Sequence, residues 1–458
     1  MHSPHLTGSL SRRRLLAASA MAAAAVAPAV RSVPAGAQAT PAADEGRMVT
    51  GRILPGLEAF DFAMFGLMDE FALPGAQLSV ANGPSLAVER GYGLADPLTG
   101  EGVTPVSRGR IASVSKTITA VTALALVDQD LLLLDEPIFK VIDLAPPKNA
   151  QLDPRLGEIT LRMLLTHSAG FDNPPGLDPQ YQPMLAMEAE LLGVDSPPTA
   201  EQIVRAMLGF ELAYDPGTKS VYSNFGFNVI GRAIEAVTGE RFGDVVQRVV
   251  LDPCGAMATK LGKTRLADRA RDEVLYVAPA GSRLQPSVFP GEGFVPEAYG
   301  GYFLEAMDAH GGFIATATDL VRFTLAVDGT RGPALLSGAM LQEMLGTERP
   351  GGEAEPGAAG KRSFGLGWGV DVSDAGIEWS HAGALTGTCG SWLARLADGT
   401  TVAFVTNTLP TDYPAFFGRV IDVLTQTAAG ITAWPEGDLF PDVVEVAPAA
   451  SGAATPEA

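Results

Sequence analysis

Apolar positions change their period from one part of the chain to the next, and each period predicts an element. From Leu57 to Phe71 they recur at helical spacing and stop at Pro74-Gly75, which predicts a helix. AQLSVA and SLAVERGYG flank Asn82-Gly83 and read as a hairpin. Ser113 to Val127 is apolar almost all round, the pattern of a helix buried on every side. Helical patterns such as QIVRAML and FNVIGRAIEAV, punctuated by Pro and Gly, fill the middle from about 140 to 275. Within them, residues 172–200 are rich in Pro and acid and read as an insertion over a site, while residues 346–361 read as a loop. From Ser363 to Asn407 the period falls to two, through FGLGWGV, IEWSHAG, SWLARL and TVAFVT, with a tight turn at Asp398-Gly399. A last helical pattern runs from Pro414 to Gln426. Strands at both ends of the chain and helices between them predict an α/β (α+β) fold, with one sheet built from both ends and a helical lobe inserted.

Of the 458 residues, 47% are hydrophobic and 18% charged, a balance that excludes disorder as the main state. The amino terminus stands apart. SRRRLL at 11–16, an apolar run and Ala37-x-Ala39 have the layout of a secretory signal over 1–39, and the paired Arg12 and Arg13 suggest its twin-arginine form. That predicts a protein folded in the cytoplasm and exported to the periplasm or the cell exterior, with no need for a disulfide between Cys254 and Cys389. Residues 40–54 read as a flexible lead-in, 55–428 as the folded unit and 429–458 as a mobile tail.

The net charge is −20, and −24 without the four arginines of residues 1–39, which disfavours nucleic acid and anionic membrane surfaces as partners. The most apolar stretch after the signal, Thr117 to Leu134, is broken by Asp128 and Asp130, so no further membrane span is expected. Two cysteines exclude a disulfide framework or a Cys-based zinc site, and a histidine site would need nearly all of His167, His310 and His381, without ligand spacing.

The segment RIASVSKTITA carries the most chemistry. It places Ser113-Val114-Ser115-Lys116 at the start of the buried helix. Residues three apart share a helix face, about 4.5 Å apart along the axis, so Lys116 reaches the Ser113 hydroxyl. A lysine inside such a helix loses hydration, which lowers its pKa and suits it to take the serine proton. A serine at a helix N-terminus also offers its own N–H to an oxyanion. An N-cap serine followed by a surface lysine would give the same pattern, and the apolar context is what stands against it.

In DPGTKSVYSNFGFNVIG, Tyr222-Ser223-Asn224 precede a helix. A Tyr hydroxyl beside a Ser–Lys pair relays a proton and an Asn amide binds a substrate carbonyl, yet Asn224 also suits an N-cap and Tyr222 a packing aromatic. His381-Ala382-Gly383 lies on a late strand pattern, where small residues let a substrate backbone lie along the strand and the Ala384 N–H supplies a second oxyanion donor. His310-Gly311-Gly312 competes for that assignment. No serine stands in a GxSxG elbow, which argues against an α/β-hydrolase.

In this order SVSK, YSN and HAG resemble the three motif elements of the serine β-lactamase and penicillin-binding protein superfamily, in its branch of class C β-lactamases, D,D-peptidases and related esterases. The flanks LDEPIFKVI, LLTHSAGF and GGFIATATDLVRF agree, and the resemblance spans about 55–428. It implies a β-lactamase/transpeptidase-like catalytic domain, an antiparallel sheet flanked by helices with an inserted all-helical lobe. It also implies Ser113 as nucleophile, Lys116 and Tyr222 as proton-transfer partners, Asn224, His381 and Gly383 as substrate contacts, and the amides of Ser113 and Ala384 as the oxyanion hole. No metal or organic cofactor is implied, and His167 and His310 become turn and packing residues.

One departure matters. β-Lactamases of this branch usually carry Lys where His381 stands, and an unperturbed imidazole with a pKa near 6.5 is only about a quarter charged at pH 7, a weaker hold on an antibiotic's carboxylate. The implied activity is therefore hydrolysis of a small-molecule or peptide substrate by an exported esterase or D-amino-acid peptidase through acyl-Ser113. The alternatives are a penicillin-binding sensor that acylates with little turnover and a true class C-like β-lactamase.

Overall fold

In the computed structural model, which describes residues 47–172, 178–346 and 362–440, the two ends of the chain meet in the middle of one sheet. Its main strands are β1 (Val49–Ile53), β2 (Gly75–Asn82), β3 (Ser85–Asp96), β4 (Arg362–Phe364), β5 (Gly369–Ser373), β6 (Gly376–Leu385), β7 (Cys389–Arg395) and β8 (Thr400–Thr406), and the two-residue strand Glu101–Gly102 pairs with β3 beside them. They lie in the order β1-β3-β2-β8-β7-β6-β5-β4, each neighbouring pair antiparallel. The central pair, β2 and β8, runs in register from Ala76 opposite Thr406 to Asn82 opposite Thr400. Both are buried almost throughout, because helices cover both faces.

The helices that matter here are α1 (Ala59–Phe71), α2 (Ser115–Asp128), α3 (Leu161–Leu165), α4 (Met184–Leu192), α5 (Ala200–Met207), α6 (Asn224–Thr238), α7 (Phe242–Val246), α8 (Ala317–Val327) and α9 (Tyr413–Ala429). On one face Phe60, Met64 and Leu67, which share a stripe of α1, join Phe416, Val420 and Leu424 of α9 over Leu78, Val80, Val402 and Phe404. Ala403 and Val405 point the other way, into a second core shared with α8, α2 and the helical lobe. The period of two is thus the division of each strand between two cores.

Helix α2 has no polar face. Every residue from Ser115 to Leu126 is buried, as its pattern predicts, and its threonine hydroxyls bond to backbone carbonyls: Thr117 to Val114 at 2.8 Å, Thr119 to Ala309 at 2.7 Å and Thr122 to Ile118 at 2.8 Å. The helix starts two residues later than expected, because Ala112–Val114 forms a 3₁₀ turn in front of it. Among the described residues no helix is long and apolar enough to cross a membrane, and Cys254 and Cys389 are free thiols.

Three boundaries differ from the sequence reading. The lead-in expected to be flexible over 40–54 contains β1, which pairs with β3 from Val49 opposite Tyr92 to Ile53 opposite Val88. The lobe expected to be all-helical ends in a short strand, Lys260–Leu261, paired with Phe313 and Ile314. The tail expected to be mobile from 429 packs as far as Phe440: the Leu439 N–H donates to the Leu86 carbonyl at 2.8 Å, and Asp438 pairs with Arg331 at 2.7 Å. The Phe440 ring is buried, with the Arg322 and Arg331 guanidiniums 4.4 and 4.3 Å from its centroid. The signal at 1–39, the expected loop from 347 to 361 and residues 441–458 lie outside the described residues.

The packed tail has a measurable consequence. Phe440→Ala is expected to lower the unfolding free energy in urea by about 3 kcal/mol, the range for truncating a buried aromatic; a mobile tail would leave it unchanged.

Candidate active site

Ser113 sits in the 3₁₀ turn that leads into α2, and the turn is under strain. Ala112 has φ +46°, in the left-handed region, which costs a non-glycine residue about 1 kcal/mol or more. Its neighbour Ile111 is tied on both sides, its N–H donating to the Phe313 carbonyl at 3.0 Å and its carbonyl accepting from Ser391 Oγ at 2.7 Å. Beneath the turn, the fully buried Arg110 donates to the Ala298 carbonyl at 2.6 Å, Tyr302 Oη at 2.7 Å and the Lys263 carbonyl at 2.8 Å.

Strand β6 lies against this turn because of Gly383. A Cβ there would fall 2.3 Å from the Ile111 carbonyl oxygen and 3.1 Å from the Ser113 nitrogen. The pairing of β5 with β6 ends at Ser380, so among the described residues His381 to Leu385 meet β7 on one edge and no strand on the other. Ala384 follows Gly383 on that stretch, opposite Gly390. His381 is buried, with Nδ1 2.6 Å from the Ala382 carbonyl; a carbonyl only accepts, so Nδ1 carries the proton of that bond.

Lys116, one turn beyond Ser113, is wholly buried. Its Nζ lies 3.2 Å from Ser113 Oγ, 2.8 Å from Asn224 Oδ1 and 3.1 Å from the His310 carbonyl oxygen. An ammonium matches these three acceptors with three N–H groups. A neutral amine keeps two, and because the amide and carbonyl oxygens can only accept, the lone pair is left facing Ser113, the one partner of the three able to donate. Among these three, only Ser113 could give a proton to a neutral Lys116 amine.

Tyr222 closes the other side, its ring centroid 4.7 Å from Lys116 Nζ and 6.4 Å from the His381 ring. His167 holds that tyrosine in place. Its ring packs at 4.6 Å on Tyr222, its Nδ1 accepts from the Ser223 N–H at 3.1 Å and its carbonyl accepts from the Val221 N–H at 2.8 Å. Burial, then the nearby Lys116 and His381, hold the His167 pKa well below the usual imidazole value, and burial and Lys116 do the same to His310.

Ser223, not Asn224, is the N-cap of α6, with Oγ accepting from the Gly226 N–H at 3.1 Å. Asn224 is left to bridge, its Nδ2 donating to Asp178 Oδ2 at 2.8 Å while Oδ1 faces Lys116. The structure thus brings Ser113, Lys116, Tyr222 and Asn224 together, with His381 and Gly383 beside them. His310 joins through its carbonyl rather than its ring. Asp178 was not singled out from the sequence, since one acid in a Pro-rich, acid-rich stretch carries no spacing signal. Behind it, Glu188 is fully buried with neither carboxyl oxygen hydrogen-bonded, and burial, then the charge of Asp178, push its pKa up to about 9. Among the described residues no group of three or more His, Cys, Asp or Glu side chains is placed to hold a metal ion.

A family model described as Beta-lactamase matches residues 60–424. The chain is 27% identical over 368 residues to esterase EstB of Burkholderia gladioli, covering 74% of this chain and 87% of that one. It is 31% identical over 224 residues to the "Probable fimbrial assembly protein FimD, serogroup H1" of Dichelobacter nodosus, covering 48% of this chain and 49% of that one. Its match thus spans about half the length of the first curated relatives. Among solved structures, the β-lactamase/D-alanine carboxypeptidase from Yersinia pestis complexed with citrate superposes with a TM-score of 0.61 at 19% identity, over 81% of this chain and 98% of that one, a likeness of fold.

The buried Glu188 gives a sign that can be measured. Its native pKa lies above its unfolded value, so between the two the native state keeps a proton that the unfolded chain has lost, and stability falls as pH rises. Glu188→Gln removes that dependence. Its stability relative to the unmodified protein is expected to rise by about 1.4 kcal/mol per pH unit from about pH 5 to 8 in urea titrations; a flat difference would mean an ionised Glu188.

Proposed function

The chain belongs to the Beta-lactamase family, and on that premise we propose that it is an exported serine hydrolase of the esterase or D-amino-acid peptidase type, working through an acyl-Ser113 intermediate. The observation that carries this reading is the buried Lys116 amine 3.2 Å from the Ser113 hydroxyl, with two further contacts on oxygens that only accept. In acylation Ser113 Oγ bonds to the substrate carbonyl carbon while its proton passes to Lys116 Nζ. The N–H groups of Ser113 and Ala384 hold the oxyanion. Collapse breaks the C–O or C–N bond, and the leaving atom takes a proton by way of the Tyr222 hydroxyl. Water then adds to the acyl carbon, yields a proton to the same base, and the acid departs as Ser113 regains its hydrogen.

Asn224 supports the base, His381 lines the pocket, and Gly383 keeps the strand edge close to the nucleophile, open to a substrate backbone. His381 in place of a fixed lysine charge favours esters and neutral amides over carboxylate antibiotics. A relative named as an esterase, 27% identical to this chain, supports the ester reading. Export rests on the basic and apolar pattern of residues 11–39, ahead of a folded unit that runs from β1 to Phe440.

The test is mass spectrometry and kinetics with a p-nitrophenyl ester, a cephalosporin and a D-Ala-D-Ala peptide, beside Ser113→Ala. Ester turnover is expected to fall by at least about 10³-fold in the variant, more than the loss of one oxyanion donor. Turnover that survives would overturn Ser113 as nucleophile. A stable adduct without turnover would favour the penicillin-binding sensor.

A further inference from the structure

Asn224 is symmetric in shape and asymmetric in chemistry, since one end of its amide donates and the other accepts. Only one orientation serves the base. With Oδ1 toward Lys116 the lone pair of the neutral amine is left for Ser113; with Nδ2 there, two donors would face each other. Lys116 alone does not decide between these orientations in a flexible side chain, but the group at the other end of the amide does. Asp178 Oδ2 lies 2.8 Å from Asn224 Nδ2, and Asp178 Oδ1 accepts the Gln180 N–H at 2.9 Å. A carboxylate that already accepts at both oxygens has no proton to offer, so it holds Nδ2 on its own side and turns Oδ1 toward Lys116.

We propose that Asp178 is a positioning residue for the reaction: through Asn224 it orients the Lys116 amine toward Ser113 and, by its charge, sets the pH at which that amine becomes a base. The proposal rests on the reading of Ser113 and Lys116 given above. The hydrogen bonds assign the charge to Asp178, because each of its oxygens accepts an N–H while neither Glu188 oxygen has a partner. Glu188 faces it from α4, buried and without a hydrogen-bond partner, and holds its proton to a pKa of about 9. Tyr181, with Glu297 and Tyr302 near it, is pushed well above the usual phenol range by burial. On the Lys116 side stand Tyr222, His167 and His310, the two imidazoles held neutral by burial, with His381 beyond Tyr222. Burial also raises the Asp178 pKa, while its hydrogen bonds and Lys116 oppose that rise.

A negative neighbour favours the ammonium form of Lys116, so neutralising Asp178 lowers the lysine pKa and moves the acid limb of activity to lower pH. The experiment measures the rate of covalent capture of Ser113 by a fluorophosphonate from pH 5 to 9, read by intact-protein mass spectrometry. In capture Oγ bonds to phosphorus, fluoride leaves and the serine proton passes to the base, so the readout does not depend on deacylation. Asp178→Asn and Asp178→Ser are expected to shift the acid limb down by about half to one pH unit and to slow capture on the plateau by about tenfold as the Asn224 amide loses its fixed orientation. Asp178→Glu keeps the charge and holds the limb at the wild-type pH. A limb that stays in place in a folded Asn or Ser variant, or that moves equally in the Glu variant, overturns the proposal. Capture that persists in Ser113→Ala fails at the earlier step, the assignment of the nucleophile, and so separates the two failures.

Discussion

Burying the Lys116 amine is the constraint on which the rest of this structure depends. A cationic group removed from water is strongly destabilising unless its N–H groups find acceptors, and α2 supplies none from its own apolar surface. The acceptors come from elsewhere: Ser113 in the turn before the helix, Asn224 at the start of α6, and the His310 carbonyl ahead of the short strand at Phe313–Ala315. Each belongs to a different part of the chain. A helix that is otherwise a plain hydrophobic peg is thereby registered in rotation and height against both the sheet and the lobe.

The same constraint explains why the site lies between the lobes. The sheet brings β6 to the Ser113 turn, and the lobe brings the Tyr222–Asn224 segment to the other side of Lys116. His167 fastens that segment by accepting the N–H groups on either side of Tyr222, one at its carbonyl and one at its ring, and its own φ of +56° marks a backbone held by its surroundings. The acceptors of the buried amine come from different parts of the chain, so a shift of one against another leaves that amine unsatisfied. Stability and preorganisation draw here on the same few bonds.

Much of this was legible in the sequence because local pattern and tertiary role coincide. The largely apolar run after Ser113 is a helix buried on every side, and the period of two after Ser363 is a sheet divided between two cores. The motif residues were legible because their types are scarce in such surroundings, above all a lysine in an apolar helix. Strand β1 was not, since VTGRI is half exposed and becomes a strand by pairing with β3. The segment up to Phe440 was hidden for the same reason, being held by Leu86 and by two arginines far away in the chain. The His310 contact is made by a main-chain carbonyl, which no residue type announces. Asp178 gains its meaning from one hydrogen bond to a residue 46 positions away.

The Ser113 turn carries this logic to its smallest scale. Ala112 in the left-handed region is a conformation glycine would adopt without cost, yet glycine would also leave the preceding backbone free to adopt others. Alanine narrows the choices in the unfolded chain, and the strained one is then held by Ile111, bonded to Phe313 on one side and Ser391 on the other. Glycine is spent instead at position 383, where the limit is space, because any Cβ would collide with the Ile111 carbonyl. Conformational freedom at 112 and bulk at 383 are thus removed at adjoining points of one contact. The Ser113 amide is left with a fixed direction beside β6, as the proposed role of oxyanion donor requires.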